Sequence, residues 1–177
     1  MRKLPKDLFV AIQSRCARAA LGPSSMRGAG SGGVVAAGRA YLCVLQLTQF
    51  ATADARQFRC ALDRATLGLM HSFPRPAHHW GLARKGLNLF LRDCLYTVYL
   101  RDAYGLGIAE AFFEIPLDSF TGRALASQSE ATLPRWKTVR GLDPALSDRF
   151  QLVGSHLART RGISRVHLDA YWWGQRG

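Results

Sequence analysis

Three observations predict an all-α chain. Apolar residues recur at helical spacing through most of its length, helix caps and proline or glycine stops punctuate those segments, and 48% hydrophobic residues over 177 positions suit one domain, or two small lobes sharing a core, with a buried interior. The first segment, Leu8 to Ala20, places Leu8, Phe9, Ile12, Ala19 and Ala20 on one side and Arg15 and Arg18 on the other. The run from Gly22 to Gly33 is too rich in glycine and serine to hold a regular element. Val34 to Leu47 reads as a second helix. A third is capped by Thr52 or Asp54 and carries Phe58, Leu62, Leu67 and Met70 on its apolar side, until Phe73-Pro74-Arg75-Pro76 ends it.

Leu82 to about Tyr104 is the strongest helical signal, closed by Gly105 and Gly107. A fifth helix is expected near Leu117 to Leu125, opened by Pro116 and Asp118. Asp143 caps a sixth, with Pro144 at its first position, running to about Thr160. Val166 to Trp173 fits a strand or a short last helix equally well.

The charge is strongly positive: 24 Lys and Arg against 12 Asp and Glu, net +12. Such a balance points to a polyanionic partner. It is unevenly spread. Residues 1–40 carry +6, 41–80 carry +2, 81–120 carry −1 and 121–177 carry +5. No apolar run approaches the roughly 18 residues of a membrane span, and no secretory cleavage pattern follows the basic start, so a cytoplasmic, nucleoid-associated protein is expected. The four cysteines, Cys16, Cys43, Cys60 and Cys94, are 27, 17 and 34 residues apart. That spacing suits neither a zinc site nor an iron–sulfur cluster, and no metal or other cofactor is expected.

Of the 24 cations, only Lys3, Lys6, Lys85 and Lys137 are lysines. A lysine inside the chain therefore stands out, because an amine can act as a nucleophile when neutral and a guanidinium cannot. Lys85 lies in Trp80-Gly81-Leu82-Ala83-Arg84-Lys85-Gly86-Leu87-Asn88, read as a glycine-containing turn delivering into the long helix, with Lys85 in its first turn. Backbone N–H groups at such a start suit a phosphate, and the helix dipole disfavours a protonated amine there. Downstream, Ile115-Pro116-Leu117-Asp118 sets a carboxylate at a helix N-terminus, placed to hold the amine or take its proton.

These two segments, in this order, resemble the hairpin-plus-helix and the Val-Pro-Val-Asp segment of the helix-hairpin-helix DNA glycosylases, over about residues 79–125. Ala83 stands where that family's second hairpin glycine falls, the interval from Lys85 to Asp118 is a long 33 residues, and the cysteine cluster of endonuclease III relatives is missing. Archaeal 8-oxoguanine glycosylases also vary this interval. The resemblance implies a compact two-lobed helical domain: the chain ends, about 1–33 and 126–177, form one lobe, residues 34–125 form the other, and DNA lies across a central cleft. It implies a monomer that binds double-stranded DNA and removes a damaged or modified base through a Schiff base on Lys85, with Asp118 as the catalytic aspartate. At this length the pocket could also be completed by a protein partner.

Gly81, Arg84, His79, Arg123, Arg27 and Lys137 are the candidate DNA contacts, and Trp136 and Trp172 the candidates for stacking on a base. Each has a plainer alternative. Lys85 would be a solvated helix residue, Asp118 only a cap, Arg84 a surface cation, and the tryptophans packing residues. The whole chain would then be a non-catalytic, basic, all-α nucleic-acid-binding protein.

Overall fold

The computed structural model describes residues 5–29, 32–129, 132–134 and 138–174. Among them the chain is all-α: helices joined by short 3-10 segments, with no strand. In order they are α1 (Lys6–Ala20), α2 (Val34–Val44), α3 (Ala55–Ser72), α4 (Trp80–Tyr96), α5 (Val98–Tyr104), α6 (Ser119–Gln128), α7 (Pro144–Thr160) and α8 (Leu168–Trp173). No helix among the described residues is long and apolar enough to cross a membrane. The caps fall where the sequence puts them. Asp54 accepts from the backbone N–H groups of Arg56 and Gln57, Asp118 from those of Phe120 and Thr121, and Asp143 from that of Leu146.

Two elements differ from expectation, and a third that the sequence left open is decided. The long helix breaks at Thr97, whose N–H (3.1 Å) and hydroxyl (2.8 Å) both donate to the Asp93 carbonyl. That side-chain bond competes with helix propagation, and Thr97 turns extended between α4 and α5. The ambiguous Val166–Trp173 segment is helical. And α4 begins at Trp80, so Gly81 to Arg84 are helix rather than hairpin, and Lys85 sits in the second turn. Gly81 is glycine for another reason: a Cβ there would lie 2.2 Å from the Val139 carbonyl oxygen and 2.6 Å from Leu142 Cβ. It is a seat for the 3-10 segment Val139–Gly141, not a phosphate grip.

The interior is built in two parts that divide at Glu114. The first joins α1 to α5 and the chain through Phe113; the second joins Ile115 and Leu117 to α6, α7 and α8. The expected lobe of paired chain ends is therefore not how the helices pack. α1 lies on α2, α4 and α5. Leu21 fits between Gly38 and Gly86, where added Cβ atoms would come within 2.5 and 2.8 Å of its methyl groups. Gln13 ties α1 to the end of α2 by donating to the carbonyls of Leu42 and Leu45, both at 2.9 Å.

α4 is the central helix, and every residue from Gly81 to Asn88 is buried. Arg84 is thus a core residue and not a surface cation. Its guanidinium pairs with Asp63 (2.5 Å) and Glu114 (3.0 Å), donates to the Thr66 hydroxyl (2.6 Å) and lies 4.9 Å from the centre of the Trp80 ring. Glu114 also accepts from Asn88 Nδ2 at 3.1 Å. Just beyond it, the Gln151 amide of α7 clamps Ile115, accepting from its N–H (3.1 Å) and donating to its carbonyl (2.8 Å). The chain is thereby fixed on both sides of the crossing.

Removing one member of a buried ion pair strands the other charge. Arg84→Met and Glu114→Gln are each expected to lower the unfolding free energy by about 3 kcal/mol, and the double variant by clearly less than the sum. Urea unfolding of the four proteins measures both the losses and their coupling.

Candidate functional site

Lys85, Leu89, Arg92, Asp93 and Tyr96 share one side of α4, because spacings of four, seven, eight and eleven residues fall within a narrow arc of a 3.6-residue helix. That stripe floors a pocket of about 710 Å³, within the range of small-ligand sites, roughly 300–1,000 Å³. Ser24, Ser25 and Arg27 close one side from the loop after α1. Pro116, Asp118, Ser119, Phe120 and Arg123 form another at the start of α6, and Asp169, Ala170 and Trp173 line it from α8.

Lys85 is 8% exposed. Its Nζ donates to the Ser25 carbonyl at 2.9 Å and stands 3.9 Å from Asp118 Oδ2. Asp118 divides its work between its two oxygens. Oδ1 caps α6 (2.8 and 3.0 Å to Phe120 and Thr121 N–H), while the Thr121 hydroxyl accepts from the Asp118 N–H at 2.8 Å, so Oδ2 is held toward the amine. Burial pushes the Lys85 amine below the ordinary lysine range, against the opposing pull of the Asp118 and Asp169 charges. The cause is desolvation in the second turn of α4, and not the helix-start dipole that the sequence suggested.

Behind the pair lies a second charged group. Arg92 Nη1 donates to Asp169, and its Nε and Nη2 reach Asp93 Oδ1 at 3.2 and 3.0 Å. Asp169 is 2% exposed, and burial raises its carboxyl to about 6; Arg92 pulls the other way and Asp118 adds to the rise. Asp93 is raised by burial as well, with Arg92 opposing. Trp173 packs edge-on to Phe120, ring centres 5.9 Å apart, and leaves half its surface exposed at the mouth. The lining therefore combines a desolvated amine, a carboxylate beside it, a buried acceptor–donor pair and an indole.

Of the residues singled out from sequence, Lys85, Asp118, Arg27 and Arg123 meet at this pocket. Four do not line it. Gly81 and Arg84 are buried in α4. His79 precedes that helix, half-buried. Trp172 is 3% exposed in the second core, its Nε1 donating to Gln128 Oε1 at 3.2 Å. Burial denies Gly81, Arg84 and Trp172 the DNA contacts and stacking expected of them. Trp136 and Lys137 lie outside the described residues. Arg92, Asp169 and Trp173 were missed. The signal for Arg92 was a cation seven residues from Lys85 on an otherwise apolar helix; Asp169 and Trp173 sit in the segment whose class was ambiguous. No group of His, Cys, Asp and Glu among the described residues is arranged to hold a metal ion. No family model, curated protein or solved structure matches the chain.

The raised Asp169 carboxyl has a measurable consequence. The folded state holds its proton up to about pH 6, whereas the unfolded chain releases it near 3.8. Between those values the folded state binds the extra proton, so stability falls as pH rises and levels off above the window, by on the order of 3 kcal/mol. Asp169→Asn should remove most of that slope, as read from urea unfolding at half-unit steps from pH 4 to 7.

Proposed function

We propose that this protein is a DNA glycosylase with lyase activity, Lys85 its nucleophile and Asp118 the carboxylate that serves it. The observation that carries the reading is the meeting of the amine and the carboxylate, 3.9 Å apart, on one pocket. They come from the two segments whose order resembles the helix-hairpin-helix glycosylases. A desolvated amine with a lowered pKa is suited to attack carbon, and a capped, fixed carboxylate is suited to accept its proton. Net charge +12, with Arg27 and Arg123 at the pocket, supports a duplex DNA partner reached mainly through its phosphates.

In this mechanism the target nucleotide leaves the stack and enters the pocket. Lys85 Nζ bonds to the sugar C1′ as the C1′–N glycosidic bond breaks, its electron pair leaving with the base. Asp118 Oδ2 takes a proton from the amine. The C1′–O4′ bond then opens to a Schiff base. Loss of a C2′ proton expels the 3′ phosphate from C3′ and cuts the strand. Trp173 offers a face for the base to stack on. Since Gly81 and Arg84 are buried, phosphate contacts fall to the exposed Arg27 and Arg123.

Borohydride trapping on a duplex bearing an abasic site tests the reading. A covalent adduct is expected with the wild-type protein and none with Lys85→Gln, while Asp118→Asn forms it at least about a hundredfold more slowly. Because the amine loses its proton below the ordinary lysine range, trapping should also persist to lower pH than with free lysine. Tight, salt-sensitive binding without an adduct would leave the protein a non-catalytic nucleic-acid-binding module.

A further inference from the structure

The pocket is longer than the chemistry at Lys85 requires. Its floor runs along α4 from Lys85 to Tyr96, eleven residues and roughly 16 Å of helix axis. Side chains of one helix lean the same way, so the two groups keep that separation. A stacked nucleic-acid strand advances only about 3.4 Å per nucleotide. A sugar held at Lys85 with its own base therefore occupies one end of the floor and leaves the Tyr96 end open to the nucleotides beside it in the strand.

The Tyr96 end is built as a fixed aromatic surface. The Tyr96 and His167 rings stack, centres 5.6 Å apart and 14° from parallel. The Tyr96 hydroxyl lies 3.0 Å from His167 Nδ1, and His167 Nε2 lies 3.0 Å from Glu110 Oε1. With the imidazole hydrogen on Nε2 both bonds are met: His167 donates to Glu110 and accepts from the phenol. The Ser164 hydroxyl donates to the same Glu110 oxygen at 3.2 Å. The ring is thus held by its face and by its hydroxyl, and the hydroxyl is spent on the imidazole. Yet Tyr96 remains 45% exposed, and it lines the pocket. What it presents there is π surface that is already ordered, which lowers the entropy cost of stacking on it.

A phosphate is the poorer fit at this end. Arg92, one turn before Tyr96 on the stripe, has Nη1 engaged by Asp169 and its Nε and Nη2 by Asp93. The exposed arginines of the pocket, Arg27 and Arg123, belong to the loop and the helix that bring Ser25 and Asp118 to Lys85. We infer that the Tyr96 end is a subsite for a second nucleobase: an unpaired base of a nucleotide flanking the target stacks on Tyr96. The inference rests on the glycosylase reading and names its substrate class, DNA whose strand is unpaired beyond the target nucleotide as well as at it. A base paired in a duplex is covered on both faces by its neighbours and cannot lie on the ring. An unpaired base has a face to offer whatever its identity.

Borohydride trapping on single-stranded oligonucleotides bearing one abasic site tests the subsite. In a series, each nucleotide up to four positions away on either side is replaced in turn by a baseless tetrahydrofuran spacer, which has no aldehyde to trap. For the wild type, removing one particular neighbouring base should raise the half-saturating DNA concentration about tenfold, with the limiting rate of trapping unchanged. Tyr96→Leu should show the same loss on the intact oligonucleotide and no further loss when that base is absent. Tyr96→Phe, which keeps the ring, should behave as the wild type. On a duplex, a mismatch at that neighbour should tighten wild-type binding, and Tyr96→Leu should lose the gain. Equal affinity for every spacer position, or losses from the spacer and from Tyr96→Leu that add, overturns the subsite and leaves the Lys85 reading standing. The spacer series on the wild type decides this even if Tyr96→Leu does not fold. No adduct with any oligonucleotide overturns the Lys85 reading and the subsite with it.

Discussion

The structure turns on a guanidinium and a carboxylate that meet where its two cores divide. Glu114 is the residue at which the chain leaves one core for the other, and Arg84 is fully buried in the helix that both cores use. Taking two charges from water costs several kcal/mol each, so such a pair survives only if its remaining donors and acceptors are met. Here Asp63, Thr66, Asn88 and Arg59 take most of them, while Arg84 Nε faces Glu114 at ion-pair distance without a hydrogen bond of its own. The pair's place in the chain matters as much as its strength. Arg84 adjoins Lys85, and Glu114 precedes Asp118 by four residues, with Ile115 clamped by Gln151 between them. One ion pair therefore sets the separation of the amine and carboxylate that the candidate chemistry needs.

The pocket next to it has a different electrostatic character. Its lining carries three carboxyl groups, Asp93, Asp118 and Asp169, and four cations, Arg27, Lys85, Arg92 and Arg123. Burial acts on three of these groups. It raises Asp169 and Asp93 and lowers Lys85, moving each toward its neutral form. The positive charge of the chain is carried elsewhere, chiefly by arginines at its two ends. The protein thus combines an arginine-rich exterior with a pocket in which burial pushes one amine and two carboxyls toward their neutral forms.

Much of this was legible in the sequence, for local reasons. Helix class follows from apolar spacing, and three caps follow from Asp residues whose carboxylates satisfy N–H groups within three positions of them. Lys85 and Asp118 were found by chemistry and order, and both reach the pocket. What failed was non-local. Glycine at 81 reads as a turn until the backbone at Val139 is known to lie against it. Arg84 reads as exposed until Asp63 and Glu114 are brought to it from other elements. Trp172 and Trp173 are neighbours in sequence, yet a short helix turns one into the core and the other to the mouth. Residue type carries little information about such choices; the partner supplied by the rest of the fold decides them.

The contact between Lys85 and the Ser25 carbonyl has a stereochemical consequence. A neutral primary amine has two N–H bonds and one lone pair, arranged tetrahedrally about nitrogen with its carbon. Committing one N–H to a backbone acceptor at 2.9 Å restricts rotation about the terminal C–N bond and leaves a small set of directions for the lone pair. The loop after α1 thereby does more than cover the lysine. It limits the directions open to the nitrogen's electrons, and in the proposed chemistry those are the electrons that would meet the sugar carbon.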